Sequence, residues 1–247
     1  MIRVTISIIN FNGRRNTLDC LSSISKIARK DFDLEILVID NGSSEKFGIP
    51  KGYRNVRLIS SNRNLGFSGG YNIGIKKALE NKSDYILILN NDTILDGNLI
   101  KELLGTFNEN IGIVSPKIYF AKGHEFHKNR YKDSEKGHVF WYAGGQMDWA
   151  NVIGKHRGVD EVDTGQYDKI QSTDFATGCC MMVKREVFEK VGFFNEKYFL
   201  YYEDNDLSQR TKQLGFDIIY NPKGVLWHKN AGSVGGSGSD LQDYYIT

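Results

Sequence analysis

The sequence predicts an α/β protein whose first half is a doubly wound, mostly parallel sheet. Across residues 1–120, short apolar segments alternate with amphipathic segments that have helical spacing. The apolar segments lack polar alternation, which is typical of strands buried on both faces of a parallel sheet. Polar clusters follow three of them, at the strand ends where ligands bind in such sheets. The pattern therefore predicts a fold class and the sheet edge at which a site would form.

The predicted elements follow from composition and spacing. Strands are predicted at residues 4–9, 34–39, 56–60 and 85–89, where β-branched and aliphatic side chains predominate. Helices are predicted at residues 15–27, 68–80 and 98–107. The second half adds strand-like segments at residues 139–143, 175–183 and 216–220, and a helix that begins near Glu203.

Composition argues against some classes of protein. Lys and Arg together number 32 and Asp and Glu 30, so the net charge of +2 gives no support to a nucleic-acid binder. The three cysteines are an odd number and two are adjacent, which predicts a reducing compartment without a disulfide framework. Since no signal-peptide pattern and no membrane-spanning apolar run occurs, a cytoplasmic protein is predicted.

Residues 120–140, the basic insertion, interrupt the alternation of strands and helices. Their basic residues are Lys122, Lys128, Arg130, Lys132 and Lys136. We interpret the segment as exposed and mobile, and its histidines (His124, His127 and His138) as solvated rather than metal-binding. A further hypothesis is that it contacts the inner face of the cell membrane. The chain ends without a turn or a polar tail, so we also expect a C-terminal truncation.

A carboxylate directly follows the fourth predicted strand, in Asn90-Asn91-Asp92. A diphosphate leaving group needs a divalent cation to neutralise its charge, and a hard cation takes oxygen ligands. Asp92 is therefore a candidate metal ligand. His228 follows another apolar segment, and an imidazole ligand would favour manganese over magnesium. The alternative is that residues 90–92 form a turn that caps the next helix.

Three acids, Glu203, Asp204 and Asp206, lie at the start of the last predicted helix. Helix capping explains one or two of them but not three, since like charges repel. A carboxylate at a fixed position is what a general base requires, so this cluster is a catalytic candidate. The aromatic residues before it would either stack on a sugar or pack in the core.

Residues 64–72 form a Gly-rich segment that opens a predicted helix. Backbone N–H groups at a helix N-terminus favour phosphate binding. The segment matches neither a Walker loop nor the G-x-G-x-x-G pattern, so ATPase and dinucleotide functions are weakly supported. The alternative is a flexible connection.

Seven short motifs in this order resemble those of the family 2 inverting glycosyltransferases, and most of all their rhamnosyltransferase-like branch. They are residues 7–12, 38–43, 64–70 with Asn72, 89–92, 176–178, 203–207 and 227–228. The resemblance implies one GT-A domain over residues 1–247. Residues 1–120 would be its Rossmann-like nucleotide-sugar-binding half, fused to a mixed-sheet half at residues 121–247 that binds the acceptor and carries the catalytic base.

The resemblance also implies roles for single residues. The implied nucleotide-binding residues are Asn10, Phe11, Asp40, Asn64, Gly70, Asn72, Asn91 and Asp92. Asp40 resembles the carboxylate that binds the nucleobase, and Asp92 the last residue of an Asp-x-Asp metal motif. The chain has Asn90 where that motif has its first Asp, so His228 gains importance as the second ligand of Mn²⁺ or Mg²⁺.

In the second half, Asp204 resembles the catalytic base, with Glu203 as the other candidate. Acceptor contacts are implied for Trp141, Gly144, Gly145 and Tyr202. The reaction would move a sugar, L-rhamnose from dTDP-rhamnose by the branch resemblance, onto a hydroxyl of a glycan or polyprenyl-linked glycan. Such a reaction belongs to the synthesis of cell-surface polysaccharides.

Two other functions stay open at this stage. A nucleotidyltransferase that makes sugar nucleotides would need a basic residue near the nucleotide loop, and Arg63 is the nearby candidate. It would leave the acids at residues 203–206 unexplained. A nucleotide-sugar-binding partner subunit without turnover is the second, since Asn90 departs from the metal motif. The sequence leaves the oligomeric state open.

Overall fold

The structure is a computed structural model that describes residues 1–28, 31–53, 55–127 and 129–230. Lys128 of the basic insertion lies outside the described residues. So do residues 231–247, from which we expected a C-terminal truncation. The helices are α1 (Arg14–Ile24), α2 (Gly66–Glu80), α3 (Leu99–Leu104), α4 (Arg185–Val191) and α5 (Glu203–Gln213).

The strands are numbered in chain order. The first six are β1 (Ile2–Asn10), β2 (Phe32–Asn41), β3 (Val56–Ser61), β4 (Tyr85–Asn90), β5 (Thr93–Leu95) and β6 (Ile111–Phe120). The second six are β7 (Phe140–Tyr142), β8 (Gly145–Asp148), β9 (Ile153–His156), β10 (Gln171–Ser172), β11 (Cys180–Lys184) and β12 (Asp217–His228).

The main sheet of the described residues has the order β10-β12-β6-β11-β4-β1-β2-β3. Strands β1 to β4 pair in parallel, which confirms the doubly wound arrangement predicted for the first half. Strand β11 is antiparallel to both β4 and β6, so the sheet becomes mixed beyond β4. The predicted fold class is therefore confirmed.

The register of the parallel strands places their polar ends at one edge. Asn10 of β1 pairs with Asp40 of β2, and Ile9 pairs with Asn90 of β4. Most aliphatic residues that precede these ends are fully buried, among them Ile8, Ile39 and Leu89, which fixes the strands and their register. The predicted meeting of the polar clusters at the carboxyl edge is thereby confirmed.

Several predicted elements differ from the observed ones. The strand expected at residues 175–183 is β11 alone, because a turn closes before it with Cys180 N donating to the carbonyl of Thr177. Helix α3 covers six residues of the ten expected. Strand β6 was not predicted at all, although all ten of its residues are buried, because Ser115 and Lys117 interrupt its apolar run.

Most described residues of the basic insertion are exposed, as expected, but the segment also has a small buried part. Glu125 and Tyr131 within it are buried. The Glu125 carboxylate accepts the backbone N–H groups of Gly123 and Gly137, each at 2.9 Å, which closes the segment on itself. Arg130 pairs with Asp160 and Lys136 with Asp133, so part of its positive charge is neutralised.

The helices of the described residues are short, and the longest of these, α2, has 15 residues. Across the described ranges of the chain, none of them has both the length and the apolar character needed to cross a membrane.

Candidate active site

A pocket of about 340 Å³ opens at the carboxyl edge of the sheet, between the parallel strands and helix α5. It contains eight of the candidate residues from the sequence: Phe11, Asn64, Asn91, Asp92, Trp141, Glu203, Asp204 and His228. The pocket therefore unites residues from both halves of the chain. Arg63, which a nucleotidyltransferase would need, is exposed and does not line it.

Asp92 and His228 form a buried pair at the wall of the pocket. Asp92 follows β4, while His228 ends β12, and antiparallel pairing of β12 with β5 brings the two together. His228 Nε2 lies 3.1 Å from Asp92 Oδ1, and both side chains are 5% exposed. Because an oxygen and a nitrogen of metal-ligand type converge here, the pair could hold a divalent cation.

The two carboxyl groups at the start of α5 face the same pocket. Asp204 accepts the backbone N–H of Gly178 at 2.9 Å and that of Asn205 at 2.8 Å, which orients its carboxylate. Burial raises the pKa of Asp204, although these N–H groups oppose the change. Burial also raises the pKa of Glu203 well above its usual range, and the adjacent Asp204 raises it further.

The buried carboxyl of Glu203 gives a testable pH dependence of stability. Since its folded pKa exceeds the unfolded value of about 4.3, the folded state binds more protons between the two values. The free energy of unfolding therefore decreases as pH rises through that window. We expect Glu203→Gln, which cannot ionise, to raise the unfolding temperature more at pH 8 than at pH 5.

Thermal melts of this variant and of Glu45→Gln, a change at an exposed position, test the prediction. Glu45→Gln removes one charge without relieving a buried one. Equal shifts for Glu203→Gln at the two pH values would contradict the proposed burial cost.

The third acid of the cluster has a different place. Asp206 does not line the pocket, and its carboxylate pairs with Arg210 one turn later on α5 at 2.7 Å. Arg210 also donates to the carbonyls of Val191 and Phe193. Two of the three acids thus belong to the pocket and the third to the packing of α5.

The residues before α5 adopt an unusual backbone. Tyr201 and Tyr202 have φ values of 70° and 67°, in the left-handed region that L residues rarely adopt. The carbonyl of Phe199 accepts the Phe67 N–H at 2.7 Å, which joins this loop to the N-terminus of α2. Backbone strain of this kind concentrates at functional sites.

Gly66 makes that junction feasible. Its φ is +71°, and a Cβ there would lie 2.3 Å from the Phe199 carbonyl oxygen. We expect Gly66→Ala to lower the free energy of unfolding by about 2–4 kcal/mol, from backbone strain and overlap together. Urea unfolding measures the loss. Gly97→Ala is the matched control, because its Cβ would enter open space at an ordinary φ, and a similar loss there would contradict this explanation.

Three predicted nucleotide residues of β1, β2 and the Gly-rich loop have hydrogen bonds within the chain. Asn10 donates to Asp40 at 3.0 Å, and both are buried outside the pocket lining. Asp40 also accepts the Phe47 N–H at 3.2 Å. Asn64 does line the pocket and accepts from Asn41 at 3.0 Å. The nucleobase contact of Asp40 stays a prediction.

The remaining five predicted site residues do not line the pocket. Asn72 donates to the carbonyl of Phe194, and a Cβ on Gly70 would meet Ile9, so both positions join α2 to its neighbours. The other three that do not line the pocket are Gly144, Gly145 and Tyr202. The direct contacts of these five residues with substrate stay predictions.

Sequence reasoning gave no role to several residues that line the pocket, among them Gly178 and His156. Gly178 holds Asp204, and its only signal was the motif at residues 176–178. His156, in the hairpin formed by β8 and β9, also lines the pocket. Nothing in its local sequence distinguishes it from the solvated histidines, because only the folding of the hairpin carries it there.

A mostly parallel sheet that becomes mixed, with carboxylates around a pocket at the strand ends, is the arrangement of the GT-A glycosyltransferases. The sequence profile of glycosyl transferase family 2 matches residues 5–192, and the chain belongs to that family. A second profile, described as the N-terminal domain of galactosyltransferase, matches residues 165–228. The predicted family is therefore confirmed.

Three curated relatives share about a quarter of their residues with this chain. The hexosyltransferase Agl10 of low-salt glycan biosynthesis in Haloferax volcanii is 27% identical, over 87% of this chain and 63% of its own. The N-acetylglucosaminyl-diphospho-decaprenol L-rhamnosyltransferase of Mycobacterium tuberculosis is 26% identical, over 82% and 68%. The dTDP-rhamnosyl transferase RfbF of Shigella flexneri is 27% identical, over 90% and 67%. The chain thus spans about two thirds of the length of these relatives.

Two solved structures share the fold. GalNAc-T7 with UDP, GalNAc and Mn²⁺ superposes with a TM-score of 0.70 at 18% identity, over 99% of this chain and 48% of that one. The mannosyltransferase PcManGT of Pyrobaculum calidifontis with GDP-Man and Mn²⁺ has a TM-score of 0.61 at 16% identity, over 94% and 58%. These likenesses support the GT-A fold.

Proposed function

We propose that this chain carries an inverting, metal-dependent glycosyltransferase that moves L-rhamnose from dTDP-rhamnose to a hydroxyl of a glycan or polyprenyl-linked glycan. The observation that carries the proposal is the meeting of Asp204 with the Asp92–His228 pair in one pocket. Family membership supports glycosyl transfer, and the names of two relatives support the donor.

Asp92 and His228 would hold the Mn²⁺ or Mg²⁺. Their facing atoms are 3.1 Å apart and share a hydrogen bond, and both would be available to one cation once the proton between them is lost. Among the described residues no cluster of three or more His, Cys, Asp and Glu forms, so phosphate oxygens and water would complete the coordination. When bound, the metal neutralises the charge of the diphosphate leaving group.

Asp204 would act as the general base. The N–H groups of Gly178 and Asn205 hold its carboxylate, so that it can take the proton from the attacking hydroxyl. The oxygen then attacks the anomeric carbon from the face opposite the diphosphate, and this single displacement inverts the configuration. No covalent sugar–enzyme intermediate forms, so Glu203 is not needed as a nucleophile.

The proposal also assigns a role to each half of the chain. Residues 1–120 would bind the nucleotide sugar and residues 121–247 the acceptor. We place the reaction in the cytoplasm, at the inner face of the membrane if the acceptor is polyprenyl-linked. Lys122 and Lys132 of the basic insertion would then contact anionic lipid, and sedimentation with phosphatidylglycerol vesicles at low and high salt tests that contact.

Thermal stability with dTDP, UDP or GDP, each with and without Mn²⁺, tests the proposal directly. A ligand that binds the native state alone adds about 2.7 kcal/mol at a hundredfold excess over its dissociation constant. We expect dTDP with Mn²⁺ to stabilise most. Stabilisation by none of the three would contradict a nucleotide site. Release of dTDP from dTDP-rhamnose then separates an enzyme from a binding subunit, which has no turnover.

A further inference from the structure

His156 is a histidine of the pocket that the proposed mechanism does not use. It is the last residue of β9, half-buried, and it lines the pocket. Three aromatic rings surround its imidazole, with centroid distances of 4.4 Å to Trp141, 5.1 Å to Tyr142 and 5.9 Å to Phe175. These contacts fix the ring in one orientation, so its two nitrogens have defined directions.

The hydrogen bonding of His156 determines its tautomer. Nδ1 lies 3.1 Å from the backbone carbonyl oxygen of Trp141, and a carbonyl can only accept, so Nδ1 carries the proton. Burial among the aromatic rings lowers the pKa of His156 to about 4, which keeps the ring neutral at pH 7. Among the described residues, Trp141 provides the one hydrogen bond that the structure shows for the His156 ring. Nε2 therefore carries a lone pair available to a donor in the pocket.

The surroundings of His156 indicate which substrate it faces. The Trp141 ring contacts both His156 and His228, with its centroid 4.4 and 4.5 Å from theirs. Gly154 of the same strand packs on α5, where a Cβ would lie 2.7 Å from Asn205 Oδ1. His156 thus belongs to a strand that packs against α5, the helix that begins with Glu203 and Asp204.

We propose that His156 Nε2 accepts a hydrogen bond from a hydroxyl of the acceptor sugar, beside the hydroxyl that Asp204 deprotonates, and so selects the acceptor. The inference rests on the proposed function and names its acceptor-recognising residue. Such a contact disfavours an acceptor that lacks this hydroxyl, because Nε2 would then lose its partner in a partly desolvated site.

Two variants separate the nitrogens of His156. His156→Asn retains a donor near the Nδ1 position and removes Nε2, while His156→Gln places an amide near Nε2. The test compares two rates in each variant. One is the hydrolysis of dTDP-rhamnose without acceptor, and the other is transfer to the octyl glycosides of glucose, galactose, N-acetylglucosamine and rhamnose. For His156→Asn we expect the acceptor KM to rise roughly 3- to 10-fold with hydrolysis and donor KM unchanged. For His156→Gln we expect a smaller rise.

The outcomes distinguish the two proposals. A wild-type chain that hydrolyses dTDP-rhamnose, with variants whose acceptor KM is unchanged or whose donor KM alone changes, overturns the role of His156. A wild-type chain without nucleotide binding or hydrolysis overturns the proposed function, and this inference with it. A ¹⁵N-histidine spectrum at pH 7 needs no substrate: the Nδ1–H tautomer is expected for His156, and a protonated Nε2 overturns the inference whatever the acceptor.

Discussion

Replacing Asp204 by Asn is expected to lower kcat for sugar transfer by about 10²- to 10⁴-fold, the usual contribution of a general base. Asn keeps an oxygen that can accept the Gly178 N–H, while its NH2 group replaces the oxygen that accepts the Asn205 N–H, so the contact that joins the loop to α5 should be retained. Nucleotide binding should therefore survive while turnover is lost. Release of nucleoside diphosphate measures turnover, and thermal stabilisation by nucleotide measures binding.

The pH dependence of turnover provides a second measure of the same residue. The base acts in its ionised form, and burial raises the pKa of Asp204. The acidic limb of the wild-type profile should therefore lie above the pH at which an ordinary aspartate ionises, about 3.9. In the Asn variant the residual rate should lose this limb, since the titrating group is gone.

Asp206→Asn is the matched control, because it removes the same charge two residues later on α5. Asp206 pairs with Arg210 outside the pocket, so its loss should leave kcat within a few-fold of wild type. If Asp204→Asn retained more than a tenth of the wild-type rate, another group would have to be the base. Glu203 is the carboxyl that the pocket offers next.

The second large effect concerns the metal pair. Asp92→Asn and His228→Gln are each expected to weaken nucleotide binding in the presence of Mn²⁺ by roughly tenfold or more. At a nucleotide concentration of a hundred wild-type dissociation constants, stabilisation would fall from about 2.7 to about 1.4 kcal/mol. The reason is that each change removes one of two converging ligands, 3.1 Å apart.

Binding without metal should change little in these variants, which separates metal binding from general damage to the pocket. The double variant should lose little more than either single one, because the two residues act through one ion. Asp96→Asn is the control: Asp96 accepts the Asn98 N–H at 2.8 Å in the following turn and lies outside the pocket lining. If Mn²⁺ increased the stabilisation by nucleotide as much in Asp92→Asn as in the wild type, Asp92 would not be a metal ligand.

Much of the fold could be predicted because its signals are local. The unbroken aliphatic segments of β1, β2 and β4 specify strands buried on both faces, and polar residues after them mark the carboxyl edge. The same reasoning correctly put Asn10, Asp40 and Asn90 side by side. Strand β6 was not predicted because polar residues interrupt its apolar sequence. The fold can bury one of them, Lys117, because it pairs with Asp163.

The candidate site divides in the same way. Sequence motifs and the family resemblance picked out the acids at residues 92, 203 and 204, since their chemistry is visible in their residue types. They did not separate Asp206, whose ion pair with Arg210 requires the helix to form. They also did not distinguish Asn72, whose amide is bound to the carbonyl of Phe194 at 3.0 Å.

The sequence by itself determined the order of β1 to β4 and of helices α1 to α3, the polar edge of the sheet and the residue types at the site. Only the tertiary structure decided which of those residues meet. The pairing of β5 with β12 brings His228 to Asp92 across 136 positions, and the β8–β9 hairpin carries His156 to the pocket. Contacts across such separations depend on strand register and on packing between elements, which the residues' own neighbours in sequence do not specify.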